Sequence, residues 1–342
     1  MKIAIYSIAK QEQKNVDRFV KSCEGADLTI VGCDPGDTTS DMLAARGVYA
    51  FIVEMDSFRF DAYRNTVLEH LPDDVDICIS LDMDETLQDG WRDAVIKAWK
   101  NGATRLHYTL VDGSARFLRD RIHARHGYVW KHANHEAVYA FDPLREKIAQ
   151  CDLVITHHQD RAKDRSKNIA LLELAVREEP SSTRMRWYLA REYFMYNELE
   201  KSLEEFHEYF DLRSQWAAEK SWAAIFASQA SAKMFRDVYA ELWLHAAIRF
   251  CPDLRDPRFE LAKLYFEQER WQEALNEIES AVAILSNHHN FFHSNGAYTE
   301  LIYEMKARLH KKLGDSYRAL LAVKKAQRIN PDCGSLIDEL KL

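Results

Sequence analysis

The sequence lacks paired cysteines, because its six cysteines are scattered and none forms a C-x-x-C motif. Such spacing argues against a disulfide framework or a zinc knuckle, and it suits a reducing cytoplasm. The sequence also lacks an apolar run near the roughly 20 residues that a membrane helix needs. The apolar start "MKIAIYSIAK" is too short for a secretory signal, and polar "QEQKN" follows at once. We therefore expect a cytoplasmic protein with no membrane span.

Positive charge is in short supply, since the formal net charge is −8. The chain as a whole should not attract nucleic acid or anionic membranes non-specifically. One stretch is locally basic, "ARFLRDRIHARHGYVWKH" at 115–132. It is either a solvated strand face or a groove for a diphosphate or a nucleic acid, with Tyr128 and Trp130 as stacking surfaces.

The first part of the chain alternates short apolar runs with helical patterns, and 342 residues are enough for two domains. The strand-like runs are "KIAIYSIA" (2–9), "DLTIVGC" (27–33), "YAFIVEM" (49–55) and "DICISLD" (76–82). The clearest helical pattern covers 57–71. This alternation predicts βαβ units and a sheet of the nucleotide-binding type. After about residue 104, strand-like pieces without regular helices predict a mixed or antiparallel extension of the sheet.

From about residue 161 the pattern is almost wholly helical and repetitive. The tetratricopeptide (TPR) template fits 187–210 and 259–282, a weaker copy lies between them, and a fourth ends the chain. Equivalent positions fall at 189, 227, 261 and 306. The wider last step contains an insertion, "SNHHNFFHSNG". A plain array of helical hairpins is the alternative, but the spacing of small residues favours true repeats.

The acidic cluster in "ISLDMDETL" (79–87) follows the fourth strand-like run. In open α/β sheets, ligands bind beyond the carboxyl ends of strands. Mg²⁺ and Mn²⁺ prefer carboxylate oxygens, and they often bridge one or two carboxylates to substrate phosphates. Asp82 and Asp84 are therefore candidate metal ligands, although a short acidic turn of this kind is common.

Other polar residues are expected near this cluster. Arg64 lies on or beside the apolar stripe of the 57–71 helix, where it needs an anion, either a structural carboxylate or a diphosphate. Asp34 lies at the carboxyl end of the second strand-like run, where it reads a base or ribose, or else caps a helix or turn. His157 and His158 end a later strand, and Glu136 follows a histidine. These residue types supply a metal ligand or accept a proton.

The order of these motifs resembles bacterial and phage glycosyltransferase family 2 proteins with a C-terminal TPR region. The segments that carry the resemblance are "DSFRFDAYRN", "ICISLDMDE", "YVWKHANHE", "VITHH" and "KDRSKNIALLELAVREEP". The resemblance implies an α/β plus all-α chain: a GT-A, Rossmann-like nucleotide-sugar domain at 1–160 and a helical TPR-like repeat domain at 161–342. Two departures are "NHE" for the usual "VHE" and "CDPGDTTSD" at the nucleotide pocket.

The resemblance also implies roles for individual residues. Ala9, Asp34, Arg64, Asp82 and Trp130 would bind the donor, and Asp82 and Asp84 would hold Mn²⁺ or Mg²⁺. His158 or His157 would complete the metal site, and Glu136 would be the general base. The implied enzyme transfers a sugar from a nucleoside-diphosphate sugar, most simply a UDP-sugar, to an acceptor hydroxyl or thiol with inversion.

Other functions stay open at this point. The acceptor is a protein, a glycan or a modified nucleic acid such as a DNA base. A different class of protein is a catalytically inactive scaffold whose repeats bind proteins. In the implied enzyme, the repeats would bind the acceptor or pair two chains as a homodimer.

Overall fold

A computed structural model describes residues 1–100, 102–113, 115–158, 167–212, 216–285 and 296–342. The chain divides into two compact units, Met1–Ala175 and Val176–Leu342. We call them the front unit and the repeat unit. The boundary predicted at 160/161 lies outside the described residues.

The described residues of the front unit form ten strands with helices between them. The strands are β1 Ile3–Ala9, β2 Leu28–Cys33, β3 Tyr49–Ile52, β4 Ile77–Ser80, β5 Glu85–Leu87, β6 Arg105–Asp112, β7 Ala115–Ala124, β8 Tyr128–Lys131, β9 Ala137–Ala140 and β10 Ile148–His157. The helices are α1 Val16–Ser22, α2 Thr39–Ala44, α3 Phe60–Glu69, α4 Trp91–Trp99 and α5 Asn168–Glu178, the last of which ends in the repeat unit.

Eight of the strands form one sheet, in the order β3-β2-β1-β4-β7-β6-β10-β5. The first four are parallel, whereas β7 runs antiparallel to β4 and β6, and β5 antiparallel to β10. β8 and β9 pair as a separate antiparallel ribbon. The α/β class and the mixed extension are thus confirmed, but the strand order does not confirm the GT-A, Rossmann-like assignment.

The parallel half forms as its sequence predicts. β1 and β4 are buried along almost their whole length, as expected for central strands with both faces covered. Helix α3 packs closely on this half because β2 contains Gly32. A Cβ on Gly32 would lie only 2.5 Å from Cγ2 of Val67 on α3. This close approach brings the N-terminal half of α3 towards the carboxyl ends of the strands.

The repeat unit consists of helical hairpins. Its helices after α5 are α6 Thr183–Met195, α7 Leu199–Asp211, α8 Ala217–Lys233, α9 Asp237–Phe250, α10 Asp256–Glu267, α11 Trp271–Ala283, α12 Leu301–Lys312, α13 Ser316–Ile329 and α14 Ser335–Leu340. Helices α6–α13 pack in consecutive pairs. One core runs from α6 to α12 and centres on α8, which is buried on nearly all sides, and a smaller cluster joins α12 to α13 and α14.

The hairpins share local features, which supports the predicted repeats. Each turn has a residue with positive φ, namely Asn197, Phe235, Glu269 and Gly314. In the first two hairpins a serine joins the paired helices, since the hydroxyls of Ser202 and Ser228 donate to the carbonyls of Ala190 and Ala240. The helical, TPR-like repeat prediction is confirmed, while residues 286–295 of the predicted insertion lie outside the described residues.

None of the described helices combines the length and the apolar character that crossing a membrane requires.

Candidate functional site

A cleft of about 760 Å³ opens at the carboxyl ends of β1 and β4 in the front unit. Its lining comes from the segments after these strands, from α3, from the end of β10 and from the start of α5. The lining residues that bear on function are Ala9, Lys10, Glu12, Tyr63, Arg64, Asp82, Asp84, His157 and Lys167. Five of the residues predicted from the sequence thus line one cleft, as the rule for strand ends anticipates: Ala9, Arg64, Asp82, Asp84 and His157.

Arg64 lines the cleft, is only 3% exposed, and donates hydrogen bonds to three side chains. Its Nη2 donates to Oδ1 of Asp82 at 2.6 Å, and its Nε donates to Oε1 of Glu136 at 2.7 Å. Its Nη1 donates to the hydroxyl of Ser80 at 3.0 Å. The sequence left open whether Arg64 meets a carboxylate or a diphosphate, and in the structure it meets two carboxylates.

A second arginine also forms a hydrogen bond with Asp82. Nη1 of Arg121, on β7, donates to the other carboxylate oxygen of Asp82 at 2.7 Å. Burial by itself would raise the pKa of Asp82, but the charges of Arg64 and Arg121 outweigh it and hold that pKa well below its usual range. Both oxygens of Asp82 are therefore engaged by guanidinium groups.

Glu85 lies beside this network, and its pKa is shifted in the direction opposite to that of Asp82. Its Oε2 accepts a hydrogen bond from the backbone N–H of Asp82 at 3.0 Å. Burial, with the negative charge of Asp82 added to it, raises the pKa of Glu85 to about 7. Glu85 begins strand β5.

Asp84 faces a different partner. The Oδ2 of Asp84 lies 3.6 Å from Nε2 of His157, whose Nδ1 lies 3.6 Å from Oδ2 of Asp112. The neighbouring Asp84 carboxylate raises the pKa of His157. His158 turns elsewhere, since its Nε2 is 2.9 Å from the hydroxyl of Thr86. Of the two candidate histidines, His157 is the one that faces Asp84.

Ala9 lines the cleft, and Asp34 lies beside it, in contact with two lining residues. The hydroxyl of Tyr63 donates to Oδ1 of Asp34 at 2.9 Å, and Lys10 forms an ion pair with the same carboxylate. The backbone N–H of Asp34 donates to the carbonyl of Ala9 at 3.1 Å. Asp34 is thus tied to the segment after β1.

The prediction that Tyr128 and Trp130 act as stacking surfaces needs correction. Trp130 is buried, and its Nε1 donates to the hydroxyl of Tyr6 at 2.7 Å. The guanidinium of Arg64 lies 4.8 Å from the Trp130 ring centroid. Tyr128 is also buried and donates to the hydroxyl of Thr104. These rings support the arginines from inside the fold, so neither offers a free face to a base.

Arg121 is the functional residue that sequence reasoning placed least well. It belongs to the basic stretch 115–132, for which the sequence allowed either a solvated strand face or a groove for an anion. Its position beside Asp82 follows from the pairing of β4 with β7, in which Ile79 lies opposite Ile122. A single sequence carries no signal for the register between strands about forty residues apart.

The metal ligands predicted from the sequence are only partly brought together. Asp82 is held by arginines, and His158 points away, which leaves Asp84 and His157. In the part of the chain that the structure describes, no group of three or more His, Cys, Asp or Glu side chains is arranged to hold a metal ion. The Mn²⁺ or Mg²⁺ cofactor stays a prediction.

Glu85 makes the stability of the front unit dependent on pH. Its folded pKa lies above the ordinary value, so between about pH 4.5 and 7 the folded state keeps a proton that the unfolded chain has lost. The free energy of unfolding should therefore fall as pH rises through this window. In Glu85→Gln this dependence should vanish. The free energy of unfolding of the variant, relative to that of the wild type, should therefore rise by about 3 kcal/mol from pH 4.5 to pH 7.5.

Urea unfolding of both proteins at several pH values measures this difference. Glu69→Gln, an exposed change on α3, is the matched control and should follow the wild type at every pH. Parallel curves for the wild type and Glu85→Gln across the window would contradict the assignment.

No protein-family model matches the chain, and no curated protein matches it. Similar solved structures include YrrB, titled a TPR protein with an unusual peptide-binding site, at 14% identity and a TM-score of 0.40 over 52% of this chain and 84% of that chain. MamA matches at 15% identity and a TM-score of 0.41, over 52% and 98%. PilF of Pseudomonas aeruginosa matches at 13% and 0.39, over 50% and 71%.

The resemblance to glycosyltransferase family 2 is therefore wrong, and so is the prediction that the chain is a glycosyltransferase. The similar structures named above include a TPR protein and no glycosyltransferase. The structure also gives a physical reason. Asp82, which the resemblance made a donor and metal ligand, and Glu136, which it made a general base, are both bonded to Arg64. Their motifs serve the internal structure of the front unit.

Proposed function

We propose that this chain is a protein-binding scaffold, and that its repeat unit docks a partner on the outer face of α9. The observation that carries the proposal is the apolar character of α9 on both sides. Ala240, Leu244 and Ala247 face the core, yet Val238 and Leu242 are 73% and 58% exposed. A helix at the surface of a repeat array ordinarily has a polar outer face.

The exposed side of α9 borders a groove of about 540 Å³ against α7. The groove is lined by Leu203, His207, Ser231, Arg236, Tyr239, Leu242, Trp243 and Ala246. Phe235, in the turn before α9, is 95% exposed beside it. Contiguous exposed apolar surfaces of this kind mark interaction sites, whereas single exposed apolar side chains are ordinary on protein surfaces.

The chemistry of the groove suits the apolar face of an amphipathic helix. Its apolar side chains repeat along α9 at the spacing that a docked helix requires. On α7, the exposed acids Glu200 and Glu204 lie on the same helical face as the groove residues Leu203 and His207. We therefore propose a partner helix with basic residues along one flank.

The test compares two matched pairs of exposed apolar residues, each spaced four apart on one helix. The groove variant, Val238→Ser/Leu242→Ser, removes two exposed apolar side chains of α9, of which Leu242 lines the groove, and Tyr317→Ser/Leu321→Ser on α13 is the control. A partner that co-purifies in equal amount with the wild type is itself purified, and its affinity is measured by titration calorimetry. The groove variant should bind at least about tenfold more weakly, and the control should bind unchanged. Equal affinity of the groove variant, or no stoichiometric partner, would overturn the proposal.

We also propose a second function, the binding of a nucleoside diphosphate with Mn²⁺ or Mg²⁺ in the front-unit cleft, without catalysis. The size of the cleft and the placement of Lys10, Lys167, Asp84 and His157 around it support this. Asp84 and His157 would supply protein ligands, and phosphate oxygens and water the rest, as is usual for Mg²⁺.

Thermal unfolding with UDP, in the presence and absence of Mn²⁺, tests this second function. The midpoint should rise only when both are present, because binding to the folded state alone stabilises it. Asp84→Asn should abolish the rise, and Asp89→Asn, an exposed change outside the cleft, should keep it. No rise in the wild type would refute the proposal.

A further inference from the structure

The distal half of strand β7 has an open edge. β7 runs from Ala115 to Ala124, but β4 pairs with it only through residues 122–124. On its other side β7 is paired with β6 as far as Ala115. Among the described residues no strand pairs with the β4-facing edge of 115–121. Such an edge presents unpaired backbone N–H and C=O groups to any extended segment that reaches it.

Both faces of this half-strand are also exposed. Phe117 and Leu118 point to opposite faces because they are neighbours in a strand, and they are 47% and 58% exposed. A strand with an open edge and apolar side chains on both exposed faces is the arrangement that proteins usually avoid or cover. The arrangement suits a partner that adds a strand to the edge.

The charged side chains at this edge determine which charge a partner must carry. Arg116 and Arg119 flank the apolar pair, both are exposed, and neither forms an ion pair with another described residue. Elsewhere in the same strand, Arg121 and Asp120 are engaged by Asp82 and Arg105. The free charge on the open edge is therefore positive.

A second copy of this chain fits the edge poorly. If two β7 strands paired antiparallel with Phe117 opposite Leu118, Arg116 of each would lie opposite Arg119 of the other. Like charges directly opposite each other destabilise a strand pair, whereas opposite charges stabilise it. The edge therefore favours a different chain with acids at the two flanking positions.

We propose that the 115–120 edge of β7 is a docking site for an extended acidic peptide segment, which adds to the sheet as a further strand. Two apolar, β-branched residues of the segment meet Phe117 and Leu118, and an acid on each side meets Arg119 and Arg116. The backbone supplies the remaining hydrogen bonds. This site is separate from the α9 groove, and it does not depend on the function proposed for that groove.

The test uses a synthetic peptide, Ac-Thr-Glu-Val-Val-Glu-Thr-amide with a neutral fluorophore, whose core reads the same in both directions. Its binding to the full-length chain is followed by fluorescence anisotropy. The proposal expects saturable binding that fails when both glutamates become lysines. Binding should also fail when the two valine amides are N-methylated, because a methylated amide cannot donate to the edge.

Protein variants complete the experiment. Arg116→Glu/Arg119→Glu should weaken binding at least about tenfold, and Arg145→Glu, an exposed arginine elsewhere in the front unit, should leave it unchanged. The proposal is overturned by no saturable binding to the wild type, by equal binding of the lysine or N-methylated peptide, or by equal losses in the two variants. Concentration-dependent dimerisation that the double variant abolishes would also overturn it, because a second copy would then cover the edge. Failure of the α9 groove test leaves these outcomes unaffected.

Discussion

The buried guanidinium of Arg64 holds together the polar end of the front unit. It donates to Ser80 at the end of β4, to Asp82 just beyond it, and to Glu136 before β9. Arg121 then joins β7 to the same Asp82 carboxylate. Breaking a buried ion pair by removing one partner generally costs about 3–5 kcal/mol, since it leaves a charge without compensation. The segments around the cleft are therefore fixed relative to one another by this network.

This network changes the meaning of the crowded acids after β4. In the sequence they suggest a place for a cation, because carboxylates so close together repel one another. In the structure, two arginines neutralise Asp82, and burial together with the charge of Asp82 favours the protonated form of Glu85. Asp84 alone of the three acids faces a histidine at the cleft. The charge is balanced mainly within the protein.

Interaction surfaces then become the better guide to function. The front unit has an open, positively charged strand edge, and the repeat unit has an apolar helix face beside a groove. Neither feature stabilises the fold of its own unit, because exposed apolar side chains gain little from folding. Both suit the contacts of a scaffold that holds protein segments.

Much of the fold could be predicted from the sequence. Apolar runs located β1, β2 and β4 to within a residue or two, and the apolar stripe located α3. Small residues at repeated spacings located the hairpins, because closely packed helices need them at fixed positions. Strand β3 is shorter than predicted and ends at Ile52. Local pattern could not predict what depends on pairing between distant segments.

The site shows the same limit. The strand-end rule anticipated that Arg64, Asp82 and Asp84 would lie at one cleft, and Asp34 is bonded to Tyr63 in the lining of that cleft. It could not distinguish a carboxylate that binds a ligand from one that binds an arginine. That distinction depended on Arg121, whose place follows from the β4–β7 register, and on Glu136, which a loop brings to Arg64. The resemblance of the motif order therefore misidentified the role of these residues.

The protonation of Asp82 tests the central claim most directly. The carboxyl ¹³C resonance of Asp82, assigned with an Asp82→Asn variant, can be followed from pH 7 downward in the full-length protein. If Arg64 and Arg121 hold this carboxylate, its resonance should stay at the ionised position until the protein unfolds in acid. A titration centred near the ordinary aspartate value of about 3.9 in the folded protein would contradict the account.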